Sequence, residues 1–123
     1  MLDHISIGVS DLERSTRFYD AVLAPLGYVR VFESTHASGY ALPGERNEPF
    51  AIRRDAGFEP PKGMHIAFAA GSRDAIARFH EAAVRLGAIS DGEPGLHPEY
   101  GDGYFAAFVL DPDGYRLEAV LHE

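Results

Sequence analysis

The sequence predicts an α+β protein of two βαβββ modules whose strands form a curled mixed sheet, a cup with the helices outside. Three observations lead there. The chain reads as two copies of one unit, related by an offset of 61 positions. Each copy opens on an alternating strand-like run that begins with histidine. Each run passes directly into a helix-start signal.

The repeat comes first, because missing it would misread everything after it. His4-Ile5-Ser6-Ile7-Gly8-Val9 is matched by His65-Ile66-Ala67-Phe68-Ala69-Ala70. Arg17-Phe18 matches Arg78-Phe79, and Asp20-Ala21 is echoed by Glu81-Ala82. One residue of slippage later, Leu26-Gly27 matches Leu86-Gly87. The boundary falls in the turn-rich Pro60-Pro61-Lys62-Gly63. A single domain over 1–123 therefore holds module one at 1–60 and module two at 61–123.

In the first helix Ser10 is the expected N-cap, with Glu13 at N3 completing a capping box. Leu12, Tyr19, Val22, Leu23 and Leu26 form its apolar stripe, Pro25 tightens the last turn, and Gly27 stops it. The second helix starts near Ser72, runs on Ile76, Phe79, Ala83 and Leu86, and stops at Gly87. Strand-like runs follow each helix: Tyr28–Glu33, about Ser38–Leu42 and Pro49–Arg54, then a weak run near Ile89, Tyr104–Leu110 and Tyr115–Leu121. Asp111-Pro112-Asp113-Gly114 has the chemistry of a tight turn. Residues 34–48 and 90–103, rich in Gly, Pro and charge, read as loops at the mouth of a site.

Composition narrows the function classes. At 123 residues, 46% hydrophobic and 24% charged, the chain is an ordinary one-domain protein able to bury a core without staples. It has no cysteine, which excludes disulfides, thiolate metal sites and cysteine nucleophiles. A net charge of −8 with no basic run argues against nucleic acid. No signal peptide or span-length apolar stretch is visible, so the expected partner is a small molecule, not a membrane, in the cytoplasm.

Strand alternation then sorts the candidate ligands. Ile5, Ile7 and Val9 face the first helix, leaving His4, Ser6 and Gly8 on the other side. Ile66 and Phe68 face the second, leaving His65, Ala67 and Ala69. In the last strand Leu117, Ala119 and Leu121 pack, while Arg116, Glu118 and Val120 look away. Three strands thus each send one metal-ligand side chain, His4, His65 and Glu118, to a face otherwise lined by small residues. Two imidazoles and a carboxylate suit a divalent ion such as Zn, Ni, Mn, Co or Fe. Arg53 is a candidate for binding an anionic substrate group. His97, Tyr100 and Tyr104 are candidates for contacting substrate from the second loop. Tyr19 and His80 are expected to serve packing or solvent, and His36 and His122 the surface.

With these residues in view, the chain resembles the vicinal oxygen chelate superfamily of glyoxalase, bleomycin-resistance, fosfomycin-resistance and extradiol dioxygenase proteins. The resemblance covers nearly the whole chain. It is most specific in Asp111-Pro112-Asp113-Gly114-Tyr115-Arg116-Leu117-Glu118, similar to the strand that delivers the final metal-binding glutamate of glyoxalase I. It implies a glyoxalase-like fold, a homodimer, and a divalent metal held by His4, His65 and Glu118, with Glu118 also the catalytic base of a lactoylglutathione lyase-like reaction. Phe50-Ala51-Ile52-Arg53-Arg54, where glyoxalase I-like proteins carry a fourth ligand, has no carboxylate. Three ligands are more similar to the thiol-transferase and dioxygenase branches, and a metal-free drug-sequestering protein is the third alternative.

Overall fold

Alternating and helical periodicities resolve into eight strands and two α-helices in a computed structural model, which describes residues 1–123. The chain divides into two units, Met1–Glu59 and Pro60–Glu123. The first contains β1 (Ile5–Val9), α1 (Leu12–Leu23), β2 (Val29–Glu33), β3 (Ala37–Ala41) and β4 (Phe50–Arg54). The second contains β5 (His65–Ala69), α2 (Arg73–Arg85), β6 (Ile89–Leu96), β7 (Tyr104–Leu110) and β8 (Arg116–His122).

The strands make two four-stranded mixed sheets, neither of them closed, which with the two helices is the α+β arrangement of two βαβββ modules expected from sequence. Their orders are β1-β4-β3-β2 and β5-β8-β7-β6, the same arrangement twice. In each unit the first strand runs parallel to the last, as a βαβ-type crossover requires, and the remaining pairs are antiparallel.

Each helix covers one face of its own sheet. Leu12, Phe18, Tyr19, Val22 and Leu23 of α1 are buried, as are Ile7, Val9, Tyr40, Phe50 and Ile52 of the sheet beneath. Tyr19 packs on the Phe50 ring at 5.1 Å. In unit 2, Ile76, Phe79 and Ala83 are buried with Ile66, Phe68, Ala107, Val109, Leu117 and Ala119. Leu86, expected in this stripe, is 43% exposed because the helix ends at Arg85 and the chain turns away at Gly87, whose φ is +93°.

The cap of α1 is Asp11, one residue later than expected. Its carboxylate accepts from Arg14 N at 3.1 Å, while the Ser10 hydroxyl accepts from the Arg14 guanidinium. An aspartate here also complements the positive end of the helix dipole. Ser72 caps α2, accepting from Ala75 N. Pro25 lies in a 3-10 turn, Ala24–Leu26, closed by Gly27 at φ +94°. Asp111 is buried and its Oδ1 accepts from both Asp113 N and Tyr115 N, which locks the β7–β8 turn.

A correction concerns 90–103. Its first half belongs to β6, an eight-residue edge strand, followed by a 3-10 turn over Pro98–Tyr100. The register of β6 slips around Gly92 and again before Gly95. An edge position tolerates Pro94, and bulges absorb the glycines, so a strand forms from residues with low strand preference. Within 34–48 the strand expected at about Ser38–Leu42 forms as β3.

Candidate metal centre

The site is built on the face of the unit 2 sheet that α2 does not cover. Pairing between β5 and β8 puts His65 opposite Arg116 and Ala67 opposite Glu118. Pairing between β7 and β8 puts Tyr104 opposite His122, Ala106 opposite Val120, and Phe108 opposite Glu118. The period of two then sends His65, Ala67, Tyr104, Ala106, Phe108, Glu118, Val120 and His122 to one side. Ala106, Phe108 and Val120 form its buried apolar floor, with Tyr104 packed against them.

Glu118 is the unusual residue here. It is 1% exposed, where an ordinary strand glutamate would lie in solvent or pair with a surface cation. The neighbouring Arg116 turns instead to Asp91, 3.2 Å away. The two Glu118 oxygens are treated differently. Oε2 accepts a short hydrogen bond from the Tyr104 phenol. Oε1 lies 2.7 Å from His65 Nε2, yet it has no hydrogen-bond partner. The ring N–H therefore does not point at the oxygen, and nitrogen and oxygen stand side by side. A buried carboxylate oxygen without a donor costs several kcal/mol. An imidazole nitrogen and a carboxylate oxygen standing side by side without a shared proton can both face one cation lying off the line between them, and such a donor set suits a divalent metal.

Tyr104 belongs to a ring cluster. It lies 5.3 Å from Tyr100 and meets the His122 ring edge-on at 5.0 Å. His97 stacks on Tyr100 at 5.7 Å and meets Phe108 edge-on at 5.2 Å, and its Nδ1 pairs with Glu99 at 2.8 Å. Burial first, then the hydrogen bond and charge of Glu118, push the Tyr104 phenol up to about 12. Gly92 faces Phe108 across the register; a Cβ there would come within 2.9 Å of the ring, so the glycine makes room for it.

His4 and Arg53 lie in unit 1. His4 sits just before β1, is 66% exposed, and pairs through Nδ1 with Asp3 at 2.7 Å. Arg53 is exposed and stands opposite Gly8 and Ala37, on the face away from α1. The register also locates the absent fourth ligand. Ser6 pairs with Ala51 as Ala67 pairs with Glu118, so Ala51 occupies the position of Glu118. Glu48 lies over Gly39, the partner of Ala51, where a Cβ would meet its Cγ at 2.7 Å, and it lines one cavity with His4, Ser6 and Ala51. Within neither unit do three or more His, Asp or Glu side chains gather as metal ligands would.

The structure thus brings His65, Glu118, Tyr104, Tyr100 and His97 together on one face. Two members of that face were not legible as site residues. Phe108 was hidden in an apolar strand, and His122 read as surface; alternation from Glu118 was the signal that could have found both.

Comparison with known proteins gives a consistent answer. The family model of the Glyoxalase/Bleomycin resistance protein/Dioxygenase superfamily matches residues 1–119. An uncharacterized protein of Bacillus subtilis strain 168, YqjT, is 30% identical, with 97% of each chain covered. A solved glyoxalase/bleomycin resistance protein from Albidiferax ferrireducens T118 is 31% identical, with a TM-score of 0.79 over 95% of this chain and 94% of that one. The fosfomycin resistance protein FosX of Mesorhizobium loti, 22% identical, shares the fold with a TM-score of 0.71 over 100% and 92% of the two chains. No helix is long and apolar enough to cross a membrane.

Proposed function

We propose that this chain, which belongs to the glyoxalase/bleomycin resistance protein/dioxygenase superfamily, is a divalent-metal-dependent enzyme acting on a small oxygen-chelating substrate. The observation that carries the reading is Glu118 Oε1: buried, without a hydrogen-bond donor, and 2.7 Å from His65 Nε2. His65 and Glu118 would hold the ion from unit 2. His4, which stands in module one where His65 stands in module two, is the third ligand we assign.

When bound, the metal supplies Lewis acidity toward two neighbouring oxygens of the substrate. The chain's own residues do the rest. Glu118 is the buried carboxylate of this face, so we assign it the proton shift of a lyase-like reaction. Phe108, Ala106 and Val120 exclude water from beneath the site. Ala67 and Ala69 leave space above the sheet. His97 and Tyr100 flank it, and we assign Arg53 to an anionic substrate group. Ala51 in place of a fourth ligand favours the three-ligand version of this reading, a thiol transferase or dioxygenase, over the lactoylglutathione lyase-like one. As in the superfamily, we assign a homodimer, to be checked by light scattering.

The test is the metal content of tag-free protein. About one equivalent per chain, falling below about a tenth in Glu118→Gln, supports the reading. A parent protein that holds less than about a tenth and gains nothing on reconstitution would replace it with a metal-free drug-sequestering role. Turnover of methylglyoxal–thiol adducts, fosfomycin or catechols then selects the reaction.

A further inference from the structure

We propose that Tyr104 is a positioning residue that fixes Glu118 as a one-oxygen ligand, its phenol hydroxyl holding Oε2 so that Oε1 alone is presented beside His65. The proposal rests on the metal reading above and adds a residue to it.

A glutamate has two equivalent oxygens and a freely rotating terminal torsion, so it can offer a metal one oxygen or both. Something must break the symmetry if the site is to have one geometry. In unit 2 the symmetry is broken by the hydrogen bond from Tyr104 to Oε2. The other oxygen is left without a donor and adjacent to an imidazole nitrogen.

The phenol is well placed to act as a fixed strut. Tyr104 lies opposite His122, four register pairs from the Phe108–Glu118 pair and on the same face. To meet, the Tyr104 and Glu118 side chains must lean toward each other along the sheet, across the Ala106–Val120 pair. Ala106 has only a methyl group, so the ring can lie over it, and Tyr104 does pack on this cluster. Tyr100 and His122 hold the ring from its sides at 5.3 and 5.0 Å. The main chain is pinned as well, since Tyr104 O accepts from His97 N at 2.8 Å. A donor locked in this way to the far oxygen of a ligand orients that ligand and raises the affinity of the site.

The experiment titrates Co(II) into tag-free parent protein, Glu118→Gln, Tyr104→Phe and, as a control from unit 1, Tyr28→Phe. Affinity is read by competition with a coloured chelator and geometry from the visible Co(II) bands. Tyr104→Phe removes one oxygen and keeps the ring, and its circular dichroism and melting point are checked before metal is added. We expect Co(II) to bind about 10- to 100-fold more weakly in this variant. Its bands should lose intensity, because a carboxylate released at Oε2 can chelate through both oxygens and raise the coordination number. Tyr28→Phe should behave as the parent. A Tyr104→Phe protein with the parent's affinity and spectrum would overturn this inference while leaving the metal reading intact. A parent that binds no Co(II), or binds it as well as Glu118→Gln does, would overturn the metal reading itself.

Discussion

The two units are copies of one module, yet they have diverged in opposite directions on the face their helices leave open. At the register position where unit 2 has Glu118 beside Phe108, unit 1 has Ala51 beside Gly39. Unit 2 places a buried carboxylate, an imidazole and a phenol in contact. Unit 1 places alanine, glycine and serine there, with Arg53 at the edge. On the helix-facing side the contrast reverses. Unit 1 buries Tyr40, whose hydroxyl donates to Asp20 at 3.0 Å, where unit 2 has Val109. One copy carries a buried carboxylate at this position of its open face and the other an alanine. Duplication allows this because the hydrogen-bonded frame does not depend on which side chains occupy the open face.

If the frame is truly the same in both copies, equivalent core positions should cost the same. Phe18 and Phe79 are repeat-equivalent and 1% and 0% exposed. Each Phe→Ala change should destabilise by about 3–5 kcal/mol, measured by urea unfolding. A gap of more than about 2 kcal/mol between them would mean that the two helices are not equally supported. Glycines offer a finer comparison. A Cβ on Gly103, at φ +71°, would lie 2.4 Å from the backbone oxygen of Glu123, whereas one on Gly39 would meet only the Glu48 side chain. Gly103→Ala should therefore cost about 2–3 kcal/mol and Gly39→Ala under about 1, because a side chain can swing aside and a paired backbone cannot.

The difference at the open face can also be reversed. Ala51→Glu gives unit 1 the carboxylate at the position of Glu118. On the account above it should tighten metal binding by about tenfold, and equal affinity would show that position 51 does not approach the ion. The smallest expected effect is an alkaline one. Burial, then the Asp20 charge and hydrogen bond, raise the Tyr40 hydroxyl far above its ordinary value of 10.0. The folded state thus holds this proton when the unfolded chain has lost it. The stabilisation is complete below about pH 10 and falls as pH rises further, by up to about 1.4 kcal/mol per pH unit. Tyr40→Phe should lose less stability than the parent between about pH 10 and 11.5 in pH-dependent unfolding.

Much of this was legible in the sequence because it rests on period and repetition. Helix spacing located α1 and α2, alternation separated the packing face from the open one, and Asp111-Pro112-Asp113-Gly114 specified its turn. The same alternation set Glu118 apart from Leu117 and Ala119. What escaped was whatever depends on pairing between distant residues. β6 is held by its neighbour β7 despite Gly92, Pro94 and Gly95, so its own residues did not announce it. The Ser10 cap gave way to Asp11 because two adjacent residues could each cap, and only backbone direction decides between them. The link from Tyr104 to Glu118 needs the β7–β8 register and a small residue at Ala106, neither of which a linear pattern supplies.

The central claim is that His65 and Glu118, with His4, hold one metal ion. Pulsed electron paramagnetic resonance of Cu(II)-loaded, tag-free protein counts the imidazole nitrogens on the ion directly. The account predicts two coupled histidines in the parent, one in His4→Ala and one in His65→Ala. A spectrum without imidazole coupling, or one unchanged by His65→Ala, would contradict it.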